Sequence, residues 1–285
     1  MPMPLLVGVD GSEASLEAVD WAAEEAERHA VPLRLVHVAA ADGRGHVTAT
    51  ADGAAADGIV GAAAARAAGR VPSVTVVPEV VHGEDTAAIL AEEGRNALAV
   101  VLGSRGRGNL AGLLVGSVSL AVAGRADCPV VVVRGGPAHR TDRFRTVVVG
   151  IEDGEGSGTA ADFAYREADV RHSALVAVHA SREPALSAVP QLSLSGYALE
   201  TGRRPPAAVL DDALRGPGQR YPQVAVERRV VDGAARQALL EAAAAADLLV
   251  VGARRRVGHF GLQLGLVNHG VLHHAPCPIA VVPQI

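Results

Sequence analysis

The chain has 285 residues, of which 49% are hydrophobic but only 2% aromatic, and its net charge is -5. That length suits two domains with cores of Val, Leu and Ala, and the negative charge excludes a broad basic face for nucleic acid. All 26 basic residues are Arg, which rules out a Schiff-base lysine and a Walker phosphate loop, so any phosphate must be held by backbone N–H groups, hydroxyls or guanidinium.

In chain order the pattern alternates strand and helix. Residues 5–9 form an apolar strand, and 13–30 a helix for which Ser12 is a plausible N-cap. A strand follows at 33–38, then a loop, then an Ala-rich helix at 54–68. Residues 74–81 are a strand, 85–94 a helix and 98–102 a strand. A Gly-rich loop leads into a helix at 116–123 and a terminal strand at 130–133. The opening run is a strand rather than a signal peptide, and no apolar stretch reaches membrane-spanning length. The chain is therefore expected to be cytoplasmic, with no membrane or nucleic-acid partner. Cys128 and Cys277 each precede a proline and an apolar strand, the setting of a buried thiol.

The sequence then repeats. Val7-Gly8-Val9-Asp10-Gly11-Ser12 is answered by Val149-Gly150-Ile151-Glu152-Asp153-Gly154, and His37 by His179, both at an offset of 142. Gly103, Gly116 and Cys128-Pro129 recur as Gly252, Gly265 and Cys277-Pro278 at an offset of 149. The change of offset falls in a variable loop, where insertions cost little. The fold class is thus α/β: two tandem domains with parallel sheets, each of five strands and four helices. The first domain spans 1–136, a short linker 137–145 and the second domain 146–285, so the copies should pack together.

In such sheets, ligands bind beyond the carboxyl ends of strands. Two loops there are unusual. One carries Asp10-Gly11-Ser12; the other carries Gly103, Arg105, Gly106, Arg107, Gly108 and Gly112. Glycines let backbone N–H groups approach an anion, and Gly116-Ser117 opens a helix, whose start attracts phosphate. The run Gly106-x-Gly108-x-x-Ala111 fits a dinucleotide fingerprint only loosely, because Asp127 comes too early for the ribose acid.

The spacing Gly103-x2-Gly106-x9-Gly116-Ser117, with the opening Val-Gly-Val-Asp-Gly-Ser, resembles the nucleotide-binding members of the universal stress protein family. The likeness covers both copies and is of the tandem type. It implies the adenine nucleotide alpha hydrolase-like fold, with open five-stranded sheets in order 3-2-1-4-5 and helices on both faces. It also implies an ATP site in the first copy. Gly8, Val9 and Asp10 would meet adenine and ribose, and Val38 the adenine through its backbone. Gly103, Arg105 and Gly106 would wrap the phosphates, and Gly116, Ser117, Val118 and Ser119 would complete the pocket. Mg2+ or Mn2+ commonly accompanies the triphosphate, although no dedicated metal-ligand cluster is visible in the sequence.

The second copy departs from this pattern. Glu152 replaces Asp10, Arg255 replaces Gly106, Leu266 replaces Ser117 and Asn268 replaces Ser119. A lost hydrogen bond to a charged group costs about 1.5–3 kcal/mol, so the second site is expected to bind ATP poorly. A clamp of Arg254, Arg255 and Arg256 is the counter-reading. His259, His269, His273 and His274 read as surface or helix-end histidines and His37 as a strand-end one. The apolar edges at 130–133 and 279–282 invite strand pairing. Such pairing would make an intramolecular pseudo-dimer, a homodimer of chains, or both. Three functions stay open: a nucleotide-dependent stress regulator, a slow ATPase or nucleotidyl-transfer enzyme, and a ligand-free interaction module. No catalytic group is assigned.

Overall fold

The computed structural model describes residues 2–40, 51–106, 115–154, 156–181, 204–254 and 264–284. The first half runs β1 (Leu5–Gly8), α1 (Glu13–Arg28), β2 (Leu33–Ala39), α2 (Ala51–Arg70), β3 (Val76–His82), α3 (Thr86–Glu93), β4 (Ala99–Gly103), α4 (Ser117–Ala123) and β5 (Val130–Val133). The second half runs β6 (Thr146–Gly150), α5 (Ser157–Val170), β7 (Ala174–Ser181), α6 (Pro206–Arg220), β8 (Val226–Asp232), α7 (Ala235–Ala243), β9 (Leu248–Arg254), α8 (Leu266–His274) and β10 (Ile279–Gln284).

Local chemistry sets the helix starts. The Ser12 hydroxyl oxygen accepts the Ser15 N–H at 3.2 Å and caps α1. The Asp85 carboxylate accepts from Ala87 and Ala88 at 3.1 and 3.0 Å and caps α3. Each cap satisfies an N–H group that the first helical turn leaves without a partner.

Within each half the strands are parallel and follow the order 3-2-1-4-5. The two five-stranded sheets are joined at the edges expected to invite strand pairing. β5 and β10 pair antiparallel, with Ile279 opposite Val132 and Val281 opposite Val130. One ten-stranded sheet results, in the order β3-β2-β1-β4-β5-β10-β9-β6-β7-β8. The pairing satisfies the backbone groups that two valine-rich edges would otherwise leave open.

Strand residues alternate between two cores, as a sheet covered on both faces requires. Leu5, Val7, Val131 and Val133 face the core under α1, α2, α5 and α6. Leu6, Val100, Val130 and Val132 face the core under α3, α4, α7 and α8. Burial pushes the Cys128 thiol up to about 11 and the Cys277 thiol up to about 12, as inert core residues. Among the described residues no helix is long and apolar enough to cross a membrane.

The halves also meet through a buried ionic cluster between α1 and α5. Arg171 pairs with Glu25, donates to Asp142 at 2.8 Å and lies 3.5 Å from Glu167. His29 Nε2 lies 3.2 Å from both Glu25 and Glu167. Arg28 donates to Glu25 at 2.9 Å. The Arg171 guanidinium lies 5.4 Å from the Trp21 ring centroid. Burial opposes a charge on His29, but Glu167 and Glu25 outweigh it and raise the imidazole to about 9. Burial would also push Glu25 up, yet Arg171, then His29 and Arg28, hold it well below the usual range. Glu167 is pushed up by burial and by the Glu25 charge.

Glu25, His29 and Glu167 have ligand atoms within 4.8 Å of one another, close enough to hold a metal ion. Charge argues for a different role. Asp142, Glu25 and Glu167 already face Arg28, Arg171 and protonated His29, so a dication would unbalance a neutral set. We read the cluster as an ionic pin between the halves.

Candidate functional site

The loop leaving β1 and the loop leaving β4 meet at the carboxyl end of the first-half sheet, where the strand order reverses between β1 and β4. Asp10 Oδ1 accepts from the Ser12 N–H at 2.9 Å and from the Ser12 hydroxyl at 2.6 Å. Gly11 takes a φ of +77°, a left-handed conformation that favours glycine. The Ser15 hydroxyl donates to the Ser12 carbonyl at 2.8 Å and locks this turn to α1. From below, His37 Nδ1 donates to the Val9 carbonyl at 2.7 Å and fixes the end of β1.

Two glycines after β4 lie in close approach to their neighbours. A Cβ on Gly103 would lie 2.5 Å from the Ala14 carbonyl oxygen and 2.9 Å from the Ser15 nitrogen, so α1 could not sit where it does. A Cβ on Gly106 would lie 2.7 Å from Asp10 Oδ2, the end of a flexible side chain, so the β4 loop lies against this carboxylate. Gly116 then donates its N–H to the Ser104 carbonyl at 2.8 Å, closing the loop back on itself just before α4. Ser117 and Val118 begin α4 on the exposed side, as does Arg105 on the loop.

The structure thus sets Val9, Asp10, Gly103, Arg105, Gly106 and Gly116–Ser119 at one end of the first-half sheet, where the β1 and β4 loops meet. Three of the expected residues have firm structural duties there. The Ser119 hydroxyl is buried and donates to the Gly103 carbonyl at 2.8 Å, tying α4 to the strand end. A Cβ on Gly8 would meet Leu102 at 2.6 Å and Leu90 at 3.1 Å, so side-chain packing already demands glycine. Val38 is half-buried and packs against the core beneath α3 and α4. Arg107, Gly108 and Gly112 lie outside the described residues.

The second half repeats the frame. His179 Nδ1 donates to the Ile151 carbonyl at 2.9 Å, as His37 does to Val9. Asn268 Nδ2 donates to the Gly252 carbonyl at 2.8 Å, so the amide takes over the tie that Ser119 makes. Leu266, at the Ser117 position, is 92% exposed. Arg255, Arg256 and His259 lie outside the described residues.

Two sets of contacts could not be read from the sequence, which offered Arg254 only as part of a clamp with Arg255 and Arg256. Arg254, the counterpart of Arg105, donates to the Asp153 carbonyl at 2.8 Å and pairs with Glu152 at 3.6 Å. Gln284, the counterpart of Gly135, is buried between β9 and the start of α5. The offset of 149 carries the second pair to a glycine and a glutamine, which is a readable signal. The ionic pin was readable too, since Glu25 and Glu167, like His29 and Arg171, keep the offset of 142.

Comparison with known proteins matches this geometry to one family. The universal stress protein family model matches residues 1–134 and 143–283. A universal stress protein of Mycobacterium tuberculosis is 34% identical over 305 residues, covering 98% of this chain and 95% of the relative. Another from Mycolicibacterium smegmatis is 36% identical over 298 residues, covering 98% and 96%. The crystal structure of a universal stress protein from Archaeoglobus fulgidus shares the fold, with a TM-score of 0.72 at 16% identity and full coverage of both chains. The chain therefore belongs to the universal stress protein family, in a tandem form with one family unit in each half.

Proposed function

We propose that the first half binds an adenine nucleotide, ATP in the first instance, and that the protein acts as a nucleotide-dependent stress regulator. One observation carries this reading. The segment after β4 passes the start of α1 at Gly103, where backbone leaves no space for a side chain, lies against the Asp10 carboxylate at Gly106, and is fastened to the start of α4. This leaves a short, side-chain-poor stretch of backbone at a sheet end, with Arg105 and Ser117 on its exposed side. Backbone N–H groups, a guanidinium and a hydroxyl are the phosphate ligands available to a chain without lysine.

Asp10 divides the labour. A carboxylate this close to Gly106 would repel a bare phosphate, so it suits a ribose hydroxyl or a divalent cation carried by the triphosphate. Mg2+ or Mn2+ fits one carboxylate plus phosphate oxygens, since these ions prefer hard oxygen ligands and keep bound water. In this reading Gly8, Val9 and Val38 frame the base, Gly103 and Gly106 the phosphates, and Val118 the rim. Ser119 acts by holding the loop in place. We assign no catalytic group: the Ser12 hydroxyl that the Asp10 carboxylate holds also caps α1 and so serves the turn. Hydrolysis is at most slow in this proposal.

We further propose that the halves form a pseudo-dimer within one chain, around the β5–β10 ladder and the ionic pin. With those edges consumed, a homodimer of chains would need another surface, and light scattering at micromolar concentration tests for one.

The nucleotide reading is tested by mass spectrometry of small molecules released from the purified protein, followed by titration with Mg-ATP. The expected result is saturable binding that Asp10→Ala and Gly106→Val each weaken by about tenfold or more, equivalent to about 1.4 kcal/mol. No co-purified nucleotide and no binding would turn the reading toward a ligand-free interaction module.

A further inference from the structure

Tyrosine is rare in this chain, with 3 in all, yet two of them stack at one place in the second half. The Tyr165 and Tyr221 rings lie 6.2 Å apart between centroids and 24° from parallel, joining α5 to the end of α6. Beside them, where α6 leads into β8, lies a cavity of about 410 Å³. A volume of that order suits a small molecule. The cavity sits at the amino end of β8, away from the carboxyl strand ends where the β6 and β9 loops leave the sheet.

The first half shows what packing alone requires at this joint. The Tyr221 N–H donates to the Pro217 carbonyl and the Val71 N–H to the Ala67 carbonyl, which makes Tyr221 the counterpart of Val71. The matching bonds of Ser173 to Ala168 and of Val31 to Ala26 make Tyr165 the counterpart of Ala23. Val71 and Ala23 are buried in the core. Two stacked rings are therefore more than the joint needs.

The helix gives way for them. Where α2 carries Arg66-Ala67-Ala68, α6 carries Gly216-Pro217-Gly218. Glycine and proline are the two poorest residues for a helix interior, and Pro217 has no N–H to return to the preceding turn. Gly218 makes room at one atom: a Cβ there would lie 3.2 Å from the Tyr165 hydroxyl oxygen. That hydroxyl makes no hydrogen bond among the described residues, although Tyr165 is only 2% exposed. An enclosed phenol normally has a partner.

The charge around the cavity is one-sided. Leu214, Tyr221 and Val226 supply apolar wall, and Arg215, Arg228 and Gln219 supply donors. No carboxylate lines it among the described residues. Arg215 pairs with Asp212 at 2.7 Å and Arg228 with Asp211 at 3.5 Å, but both pairs are exposed and so are weak holds on the guanidiniums. Burial raises the Tyr165 phenol above its usual value and Arg228 opposes that rise, so the guanidinium field reaches the hydroxyl. The first half has Ala65 and Pro78 where the second has Arg215 and Arg228.

We propose that this cavity is a further ligand site, confined to the second half, for a small planar aromatic anion of the aryl carboxylate class. The ligand ring lies against Tyr221 and the apolar wall. Its anionic group accepts from the Tyr165 hydroxyl and from Arg228, with Arg215 at the mouth. The site stands apart from the nucleotide reading and does not depend on it.

Calorimetric titration of the full-length chain with 2-naphthoate tests this. One equivalent should bind saturably. Arg228→Ala and Tyr165→Phe should each weaken binding by about tenfold, because each removes a hydrogen bond to a charged group. The neutral 2-naphthalenemethanol should bind more weakly by a similar factor. Tyr165→Phe keeps its ring in the core, and Arg228 lies exposed on the edge strand, so both variants should fold. Absence of saturable binding at millimolar 2-naphthoate overturns the proposal. So does equal binding of the alcohol, or undiminished affinity in either variant. Gly106→Val should leave 2-naphthoate binding unchanged, and a loss there would place the aromatic anion at the first-half loops instead. Failure of Mg-ATP to bind bears on the first half alone.

Discussion

The two crevices share a scaffold and differ in what fills it. Each has a glycine at the end of its fourth strand, a histidine holding the first loop by a carbonyl, and a fourth helix tied to that glycine's carbonyl. Above the glycine, however, one half places helix backbone and the other a glutamine amide. The second half has therefore kept the residues that hold its loops while changing others at the same sheet end. Residues that hold the loops are separable from those that the proposal assigns to a ligand, and only the former are needed for the halves to remain structural mates.

The same split appears at the ionic pin, where equivalent positions carry His29 and Arg171. Arg171 is the more deeply buried and answers three carboxylates, so its loss is the largest effect expected. Arg171→Ala leaves buried charges without their main partner and should cost about 3–5 kcal/mol in urea unfolding. His29→Ala should cost less, because Arg171 still answers both glutamates. Equal losses from the two variants would mean that the pin is as symmetric as the repeat.

His29 also sets a pH dependence. Its folded value of about 9 lies above its ordinary 6.5, so its contribution is complete below about pH 6.5 and is lost as pH rises through about 9. The shift corresponds to about 3 kcal/mol at most. Burial puts both cysteines above this window, at about 11 and about 12. Melting temperatures between pH 6 and 9 should therefore fall in the wild type and stay flatter in His29→Gln. Parallel curves would remove His29 from the pin.

Much of the fold was legible because parallel strands buried on both faces must be apolar throughout, and residues 99–103 and 130–133 are. The repeat offset placed the second half on the first. The joined sheet was legible only as an invitation to pair, since the valine runs advertise open edges but not which edge they meet. The closeness of Asp10, Gly103 and Gly106 was readable because loops leaving neighbouring strands converge and Gly103 sits against the α1 backbone. Ser119 and Gly8 were expected as ligand contacts; in the structure the one donates to a carbonyl and the other is hemmed in by leucines, duties the motif did not reveal. A hydroxyl or a glycine in a motif does not announce which side of the backbone needs it. Gln284 was legible only as a departure from Gly135 at the repeat offset, because a polar residue after a terminal strand normally points to water.

The glycines give the next smaller contrast. Gly103→Ala would drive a methyl into the α1 backbone, which cannot swing aside, and should cost about 1–3 kcal/mol. Gly252→Ala meets the flexible Gln284 side chain and should cost less. Nucleotide affinity should fall with the first and not change with the second. Equal thermal shifts for the two variants would show that the strand ends are packed alike.

The smallest effect tests whether scaffold and ligand contacts are truly separable. Ser119 and Asn268 each donate one hydrogen bond of 2.8 Å to the carbonyl of the strand-end glycine. Replacing either by Ala leaves a buried carbonyl short of a partner, at a cost of about 1 kcal/mol. Both variants should therefore lose similar stability in urea. Only Ser119→Ala should also loosen nucleotide, and then by less than Asp10→Ala, because its hydroxyl supports the loop without facing the crevice. Ser119→Asn, borrowing the solution used in the second half, should regain part of the tie if the longer amide reaches the same carbonyl. An affinity loss in Ser119→Ala as large as that of Asp10→Ala would place the Ser119 hydroxyl on the ligand instead, and the division between holding and touching would fail at that residue.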